Sequence, residues 1–151
     1  MEYEQLKLEN QLCFPFYAVS RLIIRAYQED LDALGITYPQ YLVMMVLWEN
    51  DNITVNEIAA KLILNTNTIT PLLKRMEAMG LLQRRQSKTD QRKVIVSLTK
   101  TGLAMKDKAA QIPLRLMKKM KIDTSEQNIQ GMIGLKNKLY DLIKLLEPID
   151  K

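Results

Sequence analysis

Between Thr54 and Leu98 the sequence reads as a helix, a tight connection, a second helix and a basic β-hairpin, a succession that few folds accommodate. Within it, Ile69, Leu72, Leu73 and Met76 recur at i, i+3, i+4 and i+7 and mark the buried stripe of an amphipathic helix over about Asn67 to Met79. At about 100° per residue the opposite face carries Asn67, Thr70, Pro71, Lys74 and Ala78, all small, polar or basic. That face is either an ordinary solvated surface or one shaped to lie in a major groove. A cap at Asn67 puts Pro71 just inside the first turn, whereas a start at Asn65 requires a bend at Pro71.

Flanking charge bears on the choice. Residues 66–98 hold seven Lys/Arg against two Asp/Glu, a net +5, while residues 1–65 hold four against nine, a net −5. Residues 99–151 return to +5, with eleven against six, over a longer stretch. A single-sign cluster of this density is the electrostatic footprint of phosphate contacts. Leu82 to Gln86 and Arg92 to Leu98 read as two strands joined by residues 87–91, a hairpin carrying Arg84, Arg85, Lys88, Arg92 and Lys93. Beside a groove-facing helix, such a wing can reach the neighbouring minor groove or its phosphates. Double-stranded DNA is the partner this pattern implies. Lys118, Lys119 and Lys121 form a second basic cluster, read as a solvated helix end.

Other chemistry is narrowed by absence. There is no His, which removes imidazole as a general base and the His/Cys zinc patterns, so an enzyme is not expected. The single cysteine, Cys13, excludes an intrachain disulfide and is either an inert core thiol or a reactive one. No apolar run approaches the ~18 residues of a spanning helix, and the acidic start Met1-Glu2-Tyr3-Glu4 is unlike a signal peptide; a cytoplasmic protein without membrane contact is expected.

On the N-terminal side, Phe16, Val19, Ile23 and Ala26 set a helix from about Cys13 to Leu34, with Gly35 just past its end. Pro15 is tolerated only in a first turn, which fixes the start near Cys13 and puts the thiol at the positive end of the helix dipole. A nearly all-apolar helix follows the Thr37 cap and runs to about Trp48. Ile53 is a short strand, and Thr54-Val-Asn-Glu57 is a capping box for the next helix. After the Thr99 cap, Leu103, Ala110 and Leu114 predict one long helix bent at Pro113. A last helix beyond Ser125 carries Met132, Leu135, Leu139, Leu142 and Leu146 at 3-4-3-4 spacing, a seam that packs either on its own domain or on a second copy. Helical arms at both ends of a DNA-binding module favour a two-fold homodimer.

With Asp90-Gln91-Arg92 in the wing and Leu98-Thr-Lys-Thr-Gly102 after it, this order resembles the MarR family of transcriptional regulators across almost the whole chain. Four separated stretches, Leu8-Glu-Asn-Gln-Leu-Cys13-Phe14, Ile36-Thr-Tyr-Pro-Gln-Tyr-Leu42, Leu47-Trp48-Glu49 and Thr70-Pro-Leu-Leu-Lys-Arg-Met-Glu77, are similar to the OhrR branch, repressors that sense organic hydroperoxides. Asn65 and Asn67 stand where the family often has Asp and Gly.

The resemblance implies a mainly α fold with a winged helix-turn-helix: one domain over 1–151, a DNA-binding core over 36–98, and dimerisation helices over 1–35 and 99–151. It implies that Cys13 is the peroxide-sensing residue, with Tyr17, Tyr27 and Tyr38 hydrogen-bonding or packing around it. It implies recognition-helix contacts from Thr66, Thr68, Thr70 and Lys74 or Arg75, with Arg92 in the minor groove oriented by Asp90; the outward face adds Asn67, and the basic hairpin adds Arg84 and Lys88, as candidate DNA contacts. No cofactor or metal is implied. The expected partners are a palindromic operator, an organic hydroperoxide and a low-molecular-weight thiol; with no second cysteine, oxidised Cys13 is trapped by that thiol or by a backbone nitrogen, or is oxidised further.

Helix geometry restricts the sulfur site. Tyr17 lies one turn from Cys13, but Tyr27 lies ~21 Å along a straight helix, so it meets Cys13 only across a bend or from an antiparallel partner helix. The competing reading is a MarR-like regulator that answers to a small aromatic ligand, with Cys13 structural. A cysteine peroxidase leaves the basic wing without a role, and a nonspecific nucleoid protein would show no preference for a palindrome.

Overall fold

Punctuation residues set most of the element boundaries in the computed structural model, which describes residues 3–147. After two short 3-10 turns at Glu4–Leu6 and Leu8–Asn10, helix α1 (Cys13–Leu34) begins at the expected cysteine. It ends at Gly35, whose φ of +69° is a left-handed conformation that an L side chain rarely adopts. Helix α2 (Tyr38–Glu49) opens with a capping box, the Gln40 side chain accepting the Thr37 backbone N–H at 2.8 Å. Strand β1 (Ile53–Thr54) leads into α3 (Val55–Leu62), and the predicted Thr54/Glu57 box forms in both directions, at 2.7 and 3.2 Å. Then come α4 (Thr66–Ala78), β2 (Leu82–Gln86), β3 (Val94–Leu98), α5 (Lys100–Ala109), α6 (Ile112–Lys119) and α7 (Glu126–Leu146).

The described chain forms two compact units, residues 3–112 and 113–147. In the first, β3 lies between β1 and β2 in an antiparallel sheet, with Ile53 opposite Val96, and Leu82 opposite Leu98 through Gln86 opposite Val94. Its core is built from Leu31, Ile36, Tyr41, Val43, Met44, Leu47, Ile58, Ile69, Leu73, Met76, Leu82, Val96, Ala109 and Ile112. The all-apolar α2 is central to it, as its sequence requires. In the second unit, Lys121 takes a left-handed conformation (φ +50°) and the chain closes α6 through Ile122 N donating to Met117 O at 3.2 Å, so the basic cluster does fall at a helix end. Helix α7 contains no buried residue, and Met132, Leu135 and Leu146 are about half exposed.

Three boundaries depart from expectation. Helix α4 is capped by Asn65 rather than Asn67: Ile63 is left-handed (φ +56°) and turns the chain early, so the Asn65 side chain accepts the Thr68 N–H at 2.9 Å. The helix then runs on through Pro71, which offers no N–H to the Asn67 carbonyl. Strand β3 begins at Val94 rather than Arg92, because Asp90 nucleates a turn in which its side chain accepts Arg92 N–H at 3.1 Å and its carbonyl accepts Lys93 N–H at 2.9 Å. The long helix after Thr99 is two helices that break at Ala110–Gln111, with Pro113 harmless in the first turn of α6. Its predicted stripe is solvent-facing, since Leu103, Ala110 and Leu114 are exposed while Gly102, Ala109 and Ile112 are buried.

Candidate nucleic-acid interface and cysteine site

Four buried side chains, Ile69, Leu72, Leu73 and Met76, root α4 in the core and leave Thr66, Asn67, Thr68, Pro71, Lys74 and Arg75 exposed on the other side. Several polar groups on this helix are spoken for. Thr68 Oγ1 donates to Asn65 Oδ1 at 2.9 Å, and the half-buried Thr70 donates its hydroxyl to the Thr66 carbonyl at 2.7 Å. Lys74 and Arg75 carry no side-chain ion pair among the described residues and remain available to an anionic partner.

The wing is fastened to this helix by one carboxylate. Glu77, near the end of α4, accepts the Arg84 backbone N–H with Oε1 at 2.8 Å, and Arg84 Nε and Nη2 with Oε2 at 3.0 and 2.7 Å. These hydrogen bonds hold the Glu77 carboxyl below its ordinary value of 4.5. Arg84, expected as a DNA contact, is thus already occupied in positioning β2. Arg85 donates to Asn52 Oδ1 at 3.1 Å, while the neighbouring Asp51 accepts Leu98 N–H at 2.9 Å, so the turn after α2 braces both wing strands. Lys88 and Arg92 are exposed and unpaired among the described residues. Asp90 holds Arg92 through its backbone, and its other oxygen stands 4.0 Å from Lys93 Nζ. Thr54, Asn56, Thr66, Thr70, Arg84, Arg92 and Lys93 help line one open cleft of about 230 Å³, which brings the start of α3, the start of α4 and the wing base to a single cationic surface.

A further knot supports that surface. Trp48 Nε1 donates to Gly102 O at 3.0 Å, Lys106 Nζ donates to Trp48 O at 3.0 Å, and Thr99 donates its hydroxyl to Gly80 O at 2.6 Å and its N–H to Leu81 O at 3.1 Å. The end of α2, the turn after α4 and the start of α5 are thereby joined.

The four residues expected around the sulfur divide into two groups within the chain. Cys13 is exposed at the first position of α1, with Tyr17 one turn on. The Tyr17 hydroxyl accepts from Arg21 Nη1 at 3.0 Å, and the same guanidinium lies 5.4 Å from the ring centroid. Tyr27 packs instead on Tyr38 and Tyr41, at centroid separations of 5.1 and 5.9 Å, and Tyr41 meets Trp48 edge-on at 6.3 Å. Burial raises the pKa of Tyr27, Tyr38 and Tyr41 above 10.0, keeping these phenols neutral donors. Because α1 is continuous, Tyr27 and Cys13 are ~21 Å apart along its axis.

Sequence reading missed Tyr41, Trp48, Glu77, Asn52 and Gly102 as supports. The seven-residue spacing of Tyr41 and Trp48, two turns of one helix, was the available signal for that pair. Nothing local marks Glu77 for Arg84 or Gly102 for Trp48.

The helix order, the three-stranded sheet and the basic hairpin beside an outward-facing helix define a winged helix-turn-helix regulator. The SarA/Rot transcriptional regulator model matches residues 25–109. The chain is 43% identical over 145 residues to the organic hydroperoxide resistance transcriptional regulator of Bacillus subtilis (strain 168), covering 96% of this chain and 95% of that one. It also superimposes on reduced AbfR bound to DNA, with a TM-score of 0.73, 36% identity and coverage of 95% of this chain and 99% of the other; AbfR is a protein of Staphylococcus epidermidis. Disulfide-formed AbfR gives a TM-score of 0.68 at 38% identity, with 93% and 95% covered. The chain belongs to the MarR/SarA family of transcriptional regulators, and within it is similar to the organic hydroperoxide resistance branch over nearly its full length. Among the described residues, no helix is long and apolar enough to cross a membrane.

Proposed function

We propose that this protein is a homodimeric transcriptional repressor that binds a palindromic operator and releases it when an organic hydroperoxide oxidises Cys13. The observation that carries the reading is the exposed position of this sole cysteine at the start of α1, in a chain whose winged-helix core presents a cationic surface on which Lys74, Arg75, Lys88 and Arg92 have no ion pair among the described residues. The 43% identity to an organic hydroperoxide resistance regulator supports it.

Thr66, Asn67, Thr68, Thr70, Lys74 and Arg75 face the major groove, and Lys88 and Arg92 reach phosphates or the minor groove. Arg84 and Asp90 act indirectly, by fixing β2 and the wing turn. A second copy supplies the missing half of the sulfur site. With a bend in α1 excluded by its continuity, an antiparallel α1 of a second copy is the arrangement that brings a Tyr27 and its neighbour Tyr38 within reach of Cys13. The half-exposed Phe16, Val19 and Leu22 on α1 fit such an interface.

In the sensing step the Cys13 thiolate attacks the hydroperoxide: an S–O bond forms as the O–O bond breaks, the alkoxide leaves and takes a proton from water to become the alcohol, and sulfur is oxidised by two electrons to sulfenic acid. With no second cysteine in the chain, a low-molecular-weight thiol condenses with the sulfenic acid, giving a mixed disulfide and water. The added group displaces the tyrosine contacts across the dimer and alters the spacing of the two α4 helices. A full switch needs ~5.5 kcal/mol of difference between the two states, more than one exposed hydrogen bond supplies.

A mobility shift on the protein's own upstream region tests this reading. Wild type should bind, dissociate with cumene hydroperoxide in the presence of a small thiol and rebind after excess dithiothreitol, whereas Cys13→Ser should stay bound throughout. Dissociation of Cys13→Ser by hydroperoxide refutes the assignment.

A further inference from the structure

We infer that Asn67 is a specificity-determining residue that reads an adenine in each half-site, an inference that rests on the DNA-binding reading above. The buried face of α4 is fixed by Ile69, Leu72, Leu73 and Met76. At about 100° per residue, Asn67 projects within roughly 20° of the direction opposite that face, on one line with Pro71, Lys74 and Ala78. It is the second residue of the helix, and a recognition helix sets its N-terminal residues against base edges.

The hydrogen-bond inventory singles it out. Asn65 is consumed as the cap, Thr68 Oγ1 donates to Asn65, and Thr70 Oγ1 donates to the Thr66 carbonyl. Pro71 and Ala78 have no side-chain polar atom, and Lys74 offers donors alone. Asn67 is exposed, and its carboxamide makes no hydrogen bond among the described residues. On that line it is the one side chain with both a donor and an acceptor. Adenine alone presents the matching pair in the major groove, an N7 acceptor beside an N6 amino donor, and an amide engages both at once. Lys74, Arg92 and Lys88 meet phosphates or groove edges as charges, so they add affinity in a largely sequence-independent way.

The test is selection from a randomised duplex library with wild type, Asn67→Ala and Asn67→Asp, followed by equilibrium binding to the wild-type consensus and its single-base variants. Wild type should enrich an A·T pair at one symmetric position. Replacing that pair by G·C should weaken wild type about 5- to 100-fold and Asn67→Ala by less than about 2-fold. Asn67→Asp, left with acceptors only, should move its preference at that position to cytosine, whose N4 amino group donates; a merely structural role would not produce that change. Circular dichroism and an unaltered salt slope should confirm intact helices and phosphate contacts. If Asn67→Ala selects the same base at every position as wild type, the inference is overturned while the DNA-binding reading stands. If wild type enriches no sequence at all, both fail.

Discussion

Replacing Gly102 by alanine should destabilise the protein strongly, although Gly102 lies in a helix, where alanine ordinarily gains about 1 kcal/mol over glycine. A Cβ at this position would stand 2.0 Å from Leu81 O, 3.0 Å from Leu81 C and 3.2 Å from Leu98 Cδ2. The nearest of these is a backbone atom that cannot rotate away. Restoring van der Waals separation requires about 1 Å of movement between α5 and the turn after α4. That movement acts on the Thr99 N–H to Leu81 O bond (3.1 Å) and the Trp48 Nε1 to Gly102 O bond (3.0 Å). Overpacking costs about 1–3 kcal/mol and each lost hydrogen bond about 1 kcal/mol, so after the propensity gain the net loss is about 2–4 kcal/mol. Trp48 is the only tryptophan and reports directly on this knot. Urea unfolding followed by its fluorescence, at one fixed protein concentration, should show a midpoint lower by about 1–2 M with an unchanged slope. A midpoint equal to wild type or higher refutes the close-approach argument.

Glu77→Gln should weaken the fastening between α4 and β2, lowering stability by about 1 kcal/mol at neutral pH. Because the folded-state carboxyl is depressed below 4.5, the wild-type advantage should be present above that pH and vanish as pH falls through the folded value, as read by urea midpoints along a pH series. Ser97 buries a hydroxyl with no partner among the described residues, so Ser97→Ala should leave the melting temperature unchanged or raise stability by about 1 kcal/mol; a clear loss would mean that the hydroxyl is satisfied. The Tyr27, Tyr38 and Tyr41 phenols have folded values raised above 10.0, which means that their contribution is in place below that pH and is lost as pH rises through the folded values. Alkaline unfolding should follow tyrosinate absorbance, and Tyr41→Phe should lessen its steepness.

Where a single residue type settles the local backbone, the fold was legible in the sequence. Gly35 closes α1, Thr54 and Glu57 start α3, and the 3.6-residue stripe of α4 chose the side that the core buries. Legibility failed where two residues competed for one role. Asn65 and Asn67 are both competent caps, and only the left-handed turn at Ile63 decides for the earlier one. Asp90 closes a turn that removes Arg92 and Lys93 from a stretch otherwise patterned as strand. It also failed for contacts between distant segments: no local pattern ties Glu77 to Arg84, or Gly102 to Trp48 across more than fifty residues.

At the sulfur site the helix arithmetic was sufficient to separate Tyr27 from Cys13. The packing of Tyr27 on Tyr38, Tyr41 and, through Tyr41, Trp48 required the angle between α1 and α2. That cluster belongs to the core of the same chain that exposes Cys13, which is why the proposed sensor is divided between two copies.

The most direct measurement follows oxidation and release in one reaction. Protein bound to fluorescent operator is mixed with cumene hydroperoxide and a small thiol, anisotropy records dissociation, and samples quenched over the same interval are digested to quantify oxygen and thiol adduct on the Cys13 peptide. The account predicts that the mixed disulfide of Cys13 with the small thiol, one per chain, appears on that peptide with the rate constant at which DNA is released. Release that runs ahead of Cys13 oxidation, or complete oxidation with the DNA still bound in the presence of a small thiol, contradicts it.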